Sequence, residues 1–522
     1  MKHAQRWGPL LVMVGCGGLS GLGFEPTAWW PCFVVGVAAM FVWLHRARSV
    51  REAAGWGYAY GFGLNIVSLT WLASLLPGAG PVVALLLVAF MSVFMALMGA
   101  GFHLVRDLPG APVWSAAVWV AGEWLYSRHP FGGFGWIRAG YAMVDAPVAG
   151  WLPWLSVAGT SFVTVLLSAV LAFWWRHRVR WRGWPTLMAV ATILVVLAGG
   201  VVAGRHGMTP TGGTPTGETV NIGMVQGDVE SDGNDMGRAR SVTNNHYAET
   251  IALMADARAG HQPMPDLILW PENSTDIDPV KDRPTRHLVQ SAVQVADVPI
   301  LVGAVTAGPG VDERQTTALW WMPDGTVADT YHKRDLVPFG EYIPFRDQLL
   351  PLIPVLSLVG AQSIPGTEPG VLDAPLMDGR TLRVGDVICF ELAYDDTVRD
   401  AVRGSTMLVV QSNNATYRGT AQIDQQFAIT RVRAMEARRE IVVATTNSVS
   451  GHIAADGTVL DKTQEMRSAS QVYTVPLRTD PTWATRFGGV IEQILAVVGA
   501  MGLVLGAFTR RRRNGAGRMV ES

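Results

Sequence analysis

Residues 53–105 read AAGWGYAYGFGLNIVSLTWLASLLPGAGPVVALLLVAFMSVFMALMGAGFHLV, a run without a single Asp, Glu, Lys or Arg. A hydrocarbon core about 30 Å thick takes about 20 apolar residues per helix. The run is long enough for two crossings, and Pro77-Gly78-Ala79-Gly80-Pro81 interrupts it once. A wholly soluble protein is excluded by this stretch alone. Outward from it, apolar windows recur at 8–24, 28–44, 54–76, 82–105, 111–126, 151–174, 184–204 and 488–508, a membrane α-helical bundle of about eight predicted transmembrane helices. The short loops alternate in basic content, as the positive-inside rule requires. Lys2 with Arg6, Arg46 with Arg48 and Arg51, Arg106, the cluster Arg176, Arg178, Arg180 and Arg182, and Arg510 to Arg513 fall on one side. Glu25, the Pro-Gly turn and the loop 127–150 fall on the other. Both termini are therefore expected in the cytoplasm, in a multi-pass protein of the cytoplasmic (inner) membrane.

The same count places the long segment before the last window on the external or periplasmic face. The expected organisation is a membrane domain over 1–204 with seven helices, a linker over 205–218, an external domain over 219–487, an eighth helix over 488–508 and a basic cytoplasmic tail over 509–522. Thr209-Pro210-Thr211-Gly212-Gly213-Thr214-Pro215-Thr216-Gly217 reads as flexible chain. Lys2 and Arg6 before the first window also suit a signal peptide, but no small-x-small site follows and the loop alternation needs this span.

Only 16% of the 522 residues are charged, against roughly a quarter in soluble domains. With 41 basic and 42 acidic residues, no net field draws the chain to nucleic acid. Cys16, Cys32 and Cys389 cannot form a disulfide framework. No P-loop, no G-x-G-x-x-G and no metal-ligand spacing occurs, so neither a cofactor nor a metal is expected. Arginine dominates the basic residues; the lysines are Lys2, Lys281, Lys333 and Lys462.

Between 219 and 487 strand and helix patterns alternate. Strands are predicted over 220–226, 266–270, 300–305, 317–322, 383–388, 407–411 and 441–447, and helices over 247–258, 287–296, 396–403 and 422–439. An α/β domain with a largely buried sheet follows. Glu272 comes after Leu267-Ile268-Leu269-Trp270-Pro271, Lys333 stands in Tyr331-His332-Lys333-Arg334, and Cys389 closes Val384-Gly385-Asp386-Val387-Ile388. Taken singly, each has a plain reading: a turn cap, a solvated lysine, a buried inert thiol. Together they supply a base, a nucleophile and a cation for the oxyanion that nucleophilic attack creates.

At this point the sequence resembles the nitrilase (carbon-nitrogen hydrolase) superfamily, whose Glu-Lys-Cys triad sits on an αββα sandwich. A domain of this kind between the seventh and eighth spans is similar to the apolipoprotein N-acyltransferase family over essentially the whole chain. The resemblance is carried by Trp270-Pro271-Glu272, by Lys333 followed by Pro338-Phe339-Gly340-Glu341-Tyr342-Ile343-Pro344, by Cys389-Phe390-Glu391, by Ser412-Asn413-Asn414-Ala415, and by Pro130-Phe131-Gly132-Gly133-Phe134-Gly135-Trp136 through Tyr141. It implies Glu272 as general base, Lys333 as oxyanion stabiliser and Cys389 as nucleophile. Glu341 and Glu391 are expected to support them, and the Phe390 N–H to be a second oxyanion donor. Phe390 and Thr416 stand where the family often has Tyr and Trp, and the loop 228–234 lacks an expected tryptophan.

The implied reaction moves an acyl chain from a membrane phospholipid to the α-amine of a diacylglyceryl-modified N-terminal cysteine on lipoproteins, through a Cys389 thioester, in a monomer. A nitrilase-like amidase acting on a soluble substrate is the first alternative. A non-catalytic membrane scaffold or transporter is the second. Candidate substrate contacts are Trp136 and Tyr141, expected at the interfacial level, Asn413 and Asn414, and Leu352 and Leu356 in the Pro-punctuated apolar stretch 349–359. That stretch reads as an arm dipping into the lipid interface, with a buried core segment as the other reading. Glu123 is expected near the outer end of its span, paired with Arg128.

Overall fold

A computed structural model describes residues 4–74, 78–177, 184–206, 212–229 and 235–520. Lys2, Pro77, Arg178, Arg180 and Arg182, the linker stretch 207–211 and the loop positions 230–234 lie outside the described residues. The chain divides into two compact units: residues 1–210 with 420–428 and 487–522, and residues 211–419 with 429–486.

The first unit is helical. It holds α1 (Ala4–Gly21), α2 (Trp30–Leu44), α3 (Val50–Ser68), α4 (Gly80–Val105), α5 (Ala111–Tyr126), α6 (Leu152–His177) and α7 (Trp184–His206). The charge-free run thus becomes α3 and α4, separated in its middle as the Pro-Gly break requires. Among the described residues, four stretches are long and apolar enough to cross a bilayer: Gly80–Val105, Pro147–Arg176, Thr186–Gly204 and Trp483–Arg512; Trp7–Gly21 and Trp30–Leu44 are shorter apolar helices. With little hydrophobic drive between helices in lipid, small residues must let backbones touch. A Cβ on Gly17 of α1 would lie 1.9 Å from the Tyr60 carbonyl oxygen of α3, and one on Gly57 of α3 2.4 Å from that of Met95 on α4.

The loop after α5 is packed inward rather than lying open at an interface. Trp136 is 2% exposed and Tyr141 4%. The Trp136 indole N–H donates to Gln425 Oε1 at 2.8 Å, as does that of Trp71 at 3.0 Å, so both rings are held inside the helical unit. Glu123 is not the partner of Arg128. The loop turns back so that Ala139 N–H donates to Glu123 Oε1 at 2.8 Å and Arg138 Nε pairs with Glu123 Oε2 at 3.4 Å. Arg138 also meets Glu492 at 3.2 Å, and Arg128 takes Glu492 at 2.5 Å.

The second unit is a two-sheet sandwich. One sheet has the order β13-β1-β2-β3-β4-β5 with β6 on β4, the other β12-β11-β10-β9-β8-β7. Along the chain these are β1 (Thr214–Gln226), α8 (Asp235–Arg258), β2 (Leu267–Leu269), α9 (Arg283–Ala296), β3 (Ile300–Ala307), β4 (Glu313–Trp321), β5 (Val327–His332), α10 (Arg346–Leu349), β6 (Gln362–Ser363), β7 (Val371–Pro375), β8 (Thr381–Ile388), α11 (Asp395–Arg403), β9 (Met407–Ser412), α12 (Ala421–Ala437, whose first turns belong to the helical unit), β10 (Ile441–Thr445), β11 (Gly451–Ile453), β12 (Val459–Lys462) and β13 (Ala469–Thr479). α13 (Trp483–Val520) follows. The stretch read as linker is strand from Thr214 onward, because β13 offers a ladder there: Thr214 pairs with Thr479 and Pro215 with Arg478 before a bulge.

Ile222, Leu269, Val384, Ile388, Val409 and Val442 fill the space between the sheets. On the outer side of the first sheet, Leu253 of α8 and Val289 and Val293 of α9 pack on Ile268, Ile300 and Val302. α11 packs on β8. Sheets covered on both faces explain why β2, β9 and β10 are buried throughout.

Arg138 is the shared cation of two buried carboxylates, and removing one partner of such a group costs about 3–5 kcal/mol. Arg138→Leu is therefore expected to lower the apparent melting temperature in detergent, with Glu123→Gln added to it recovering part of the loss. An unchanged melting temperature in the single variant would contradict this role.

Candidate active site

Strand direction brings the chemistry to one edge. β1, β2 and β3 run parallel; β4 and β5 each reverse, so β5 runs with β2. Glu272 follows the end of β2 and Lys333 the end of β5. In the facing sheet β8 and β9 are parallel, and Cys389 and Asn413 follow their ends. The turn carrying Glu272 crosses β3 at Gly303, where a Cβ would lie 2.1 Å from the Pro271 carbonyl oxygen. Only glycine permits that approach.

The centre is Lys333. Its Nζ donates to Glu272 Oε1 at 3.0 Å and to Glu341 Oε1 at 2.9 Å, and the residue is 2% exposed. Burial works against the ammonium charge, but Glu272 and Glu341 more than reverse this and hold it well above the usual lysine range. Glu272 is fixed on its other side by the Asn413 N–H, which donates to Oε2 at 2.8 Å. Burial raises the Glu272 carboxyl, with Lys333 pulling it back. Glu341 Oε2 accepts from the Val337 N–H at 2.7 Å.

Cys389 is half-buried and has a φ of +53°, in the left-handed region that costs a non-glycine residue energy. The strain falls at the junction of β8 with the 3-10 turn Cys389–Ala393. The thiol donates to Asn414 Oδ1 at 3.9 Å and lies beside Glu272. Burial and then the Glu272 charge push it above its usual range, against the pull of Lys333. Two carboxylates already face one ammonium here, so a resting thiolate would add a second uncompensated negative charge.

Glu391 does not touch the thiol or the lysine. It is a fully buried clamp: Oε1 accepts from Tyr331 Oη at 2.8 Å, Arg334 N at 2.7 Å and Asp335 N at 3.3 Å, and Oε2 from Ile388 N at 2.8 Å. It joins the segment carrying Lys333 to the segment carrying Cys389. Burial pushes its carboxyl up to about 7, although these donors favour the charged form.

Residues 16–170 match the profile described as the apolipoprotein N-acyltransferase N-terminal domain, and residues 239–479 match that of carbon-nitrogen hydrolase. The apolipoprotein N-acyltransferase of Mycolicibacterium smegmatis is 34% identical, covering 96% of this chain and 85% of that protein. The chain belongs to the apolipoprotein N-acyltransferase family. The family member of Vibrio parahaemolyticus is 26% identical over 92% of this chain and 95% of its own. A solved mutant of the amidase from Nesterenkonia sp. AN1 is 17% identical, covering 50% of this chain and 92% of that one with a TM-score of 0.35. The sandwich unit is the carbon-nitrogen hydrolase domain of an apolipoprotein N-acyltransferase family member.

Of the residues singled out in the sequence, Glu272, Lys333, Glu341 and Cys389 come together, with Asn413 acting through its backbone and Asn414 through its side chain. Trp136 and Tyr141 belong to the helical unit. Leu352 is 76% exposed, Leu358 72% and Phe345 66%, while Leu356 is half-buried, so the stretch 349–359 is not core. Phe390 is buried, its ring edge-on to Tyr394 with centroids 5.6 Å apart. Two tyrosines escaped the sequence reading. Tyr331 was hidden because β5, with its largely exposed burial pattern, lacks an apolar run. Tyr417 ends the 3-10 turn Ala415–Tyr417, half-buried and within electrostatic reach of Cys389, Lys333, Glu341 and Glu272. Its signal was an aromatic one place beyond Thr416.

Glu391 gives a pH test. Its folded-state pKa is raised, so the stability its proton contributes is fully present below the ordinary value of 4.5 and is lost as pH rises through about 7. Glu391→Gln cannot titrate and turns an N–H toward the Ile388 donor, which costs about 1–3 kcal/mol. The variant should melt below wild type at low pH, with the gap narrowing across the pH window bounded by those two values. A gap that widens with pH would contradict the assignment.

Proposed function

We propose that the chain transfers an acyl chain from a membrane phospholipid to the α-amine of a diacylglyceryl-modified lipoprotein cysteine, with Glu272, Lys333 and Cys389 as its catalytic groups. The observation that carries this reading is the buried Lys333 held by two carboxylates beside a strained cysteine, in a family member with bilayer-length helices. In the first half-reaction Glu272 takes the Cys389 thiol proton as sulfur attacks the ester carbonyl. The oxyanion forms against Lys333 Nζ and the Phe390 N–H at the start of the 3-10 turn. Collapse breaks the ester C–O bond; the lysophospholipid alkoxide leaves with the proton from Glu272, and the acyl group remains as a thioester. In the second, the lipoprotein amine attacks the thioester, Glu272 accepts its proton, and the expelled sulfur recovers it. Two bulky lipids thereby use one site in turn.

The eight-span reading completes the picture: both termini cytoplasmic, the sandwich on the external or periplasmic face of the cytoplasmic membrane, and the protein a monomer. The exposed apolar side chains of 345–358 then act as the arm that meets the lipid interface. Membership of the family argues against the amidase and scaffold readings.

Purified protein incubated with phospholipid carrying a labelled acyl chain should acquire label that neutral hydroxylamine removes, and a diacylated lipopeptide should discharge it. Cys389→Ala should acquire none, and Lys333→Met should load about 10²–10³ more slowly. Folded wild-type protein that never acquires label would overturn the proposal. Leu352→Ser with Leu358→Ser, both on strongly exposed side chains, should slow loading severalfold while leaving the melting temperature unchanged, because exposed side chains contribute little to folding. Unaltered loading with a destabilised sandwich would sink the arm.

A further inference from the structure

The helical unit contains a groove of about 410 Å³ walled by α4, α5 and α13. Its floor is Met98 and Val118, both buried; its rims include Leu97 and Val497, each 57% exposed. The floor is kept open by small residues on α5, Ala121 and Gly122, and a Cβ on Gly122 would lie 2.4 Å from Met98 Sδ. Nearly all of the lining is aliphatic or aromatic, with Gln493 as the polar exception. The groove is the size of a small-ligand pocket, roughly 300–1,000 Å³, and too small for a helix about 10–12 Å across.

Charge sits at the end near Gln493. Trp124 lines the groove, and the Arg128 guanidinium lies over its ring at 5.5 Å. Arg128 belongs to the network with Glu492, Arg138 and Glu123. The other three side chains are 0–1% exposed, whereas that of Arg128 is 28% exposed. The member of the network that an incoming group can meet is therefore a cation: Arg128 and Arg138 together offset Glu123 and Glu492, and the neutral network turns its positive end outward. An arginine braced on an aromatic face and tied to a carboxylate is a pre-organised partner for a phosphate.

We propose that this groove binds a phospholipid, one acyl chain lying between α4, α5 and α13 and its phosphate at Arg128. The site involves none of the catalytic groups, so it is a second lipid site in addition to the acyl-transfer centre. The ligand class is a glycerophospholipid with at least one long chain. A neutral lipid of the same chains lacks the group that Arg128 recognises.

The test uses full-length protein in nanodiscs, in a Cys389→Ala background so that turnover cannot consume the probe. The probe is a phosphatidylethanolamine with a photoactivatable diazirine on one acyl chain, and labelled peptides are mapped by mass spectrometry. Label is expected on the groove-facing parts of α4, α5 and α13. It should fall about tenfold in Val497→Trp, which fills the groove from its exposed rim, and severalfold in Arg128→Gln, as loss of a charge-assisted contact predicts. Unlabelled phosphatidylethanolamine should compete about tenfold better than diacylglycerol of the same chains. Label spread equally over other exposed positions such as Leu86 and Leu194 would overturn the proposal. So would equal competition by diacylglycerol, a readout on the unaltered groove that holds even if a variant fails to fold.

Discussion

The structure turns on a charge that would not exist in the protein interior without its neighbours. Lys333 is almost completely buried, and an ammonium in that position is stable only because Glu272 and Glu341 each accept from it. The same two contacts decide the state of everything else at the site. Glu272, with one oxygen on Lys333 and the other on the Asn413 N–H, faces the Cys389 thiol as a positioned carboxylate. The thiol, surrounded by burial and negative charge, rests protonated. In the proposed reaction this gives a cation already in place for the oxyanion and a carboxylate already in place to take the thiol proton. Such pre-organisation lowers a barrier without reorganisation at the moment of reaction.

Holding this cluster requires the two sheets to stay in register at one edge. Glu391 supplies that tie, reaching from the Cys389 turn to the Tyr331 hydroxyl and the Arg334 and Asp335 amides. Gly303 lets the Glu272 turn cross β3 closely. The strained backbone at Cys389 is the local cost of turning the thiol out of β8. The helical unit follows a parallel logic in a different solvent: its buried arginine, Arg138, is tolerated because Glu123 and Glu492 both meet it.

What the sequence made legible follows from where each signal lives. β2, β3, β9, β10 and the second half of β8 are short, mainly apolar stretches buried nearly throughout, and they stand out. β5, β12 and the start of β1 are largely exposed, held by their ladder partners rather than by apolar side chains, and they do not. Glu272, Lys333 and Cys389 were readable because order and residue chemistry carry them. Glu391 was read as a support of the site from its place two residues after Cys389, but its partners are mostly backbone amides far off in the chain, which no side-chain pattern announces. Glu123 was matched to the arginine nearest in sequence; the loop after α5 turns back and delivers Arg138 instead. Trp136 was read as a candidate substrate contact at the interfacial level, and a lone tryptophan gives no hint of a distant glutamine acceptor such as Gln425.

The central claim is that the positive charge at this site belongs to Lys333 and that the Cys389 thiol rests neutral beside Glu272. The most direct measurement is the pH dependence of Cys389 alkylation by iodoacetamide, with Cys16 and Cys32 replaced by serine and the modified peptide identified by mass. The account predicts a rate that still rises at pH values above the ordinary thiol pKa of 9.0, because burial and Glu272 hold the thiol protonated. A rate that levels off at neutral pH would reveal a resting thiolate paired with Lys333 and would contradict the account.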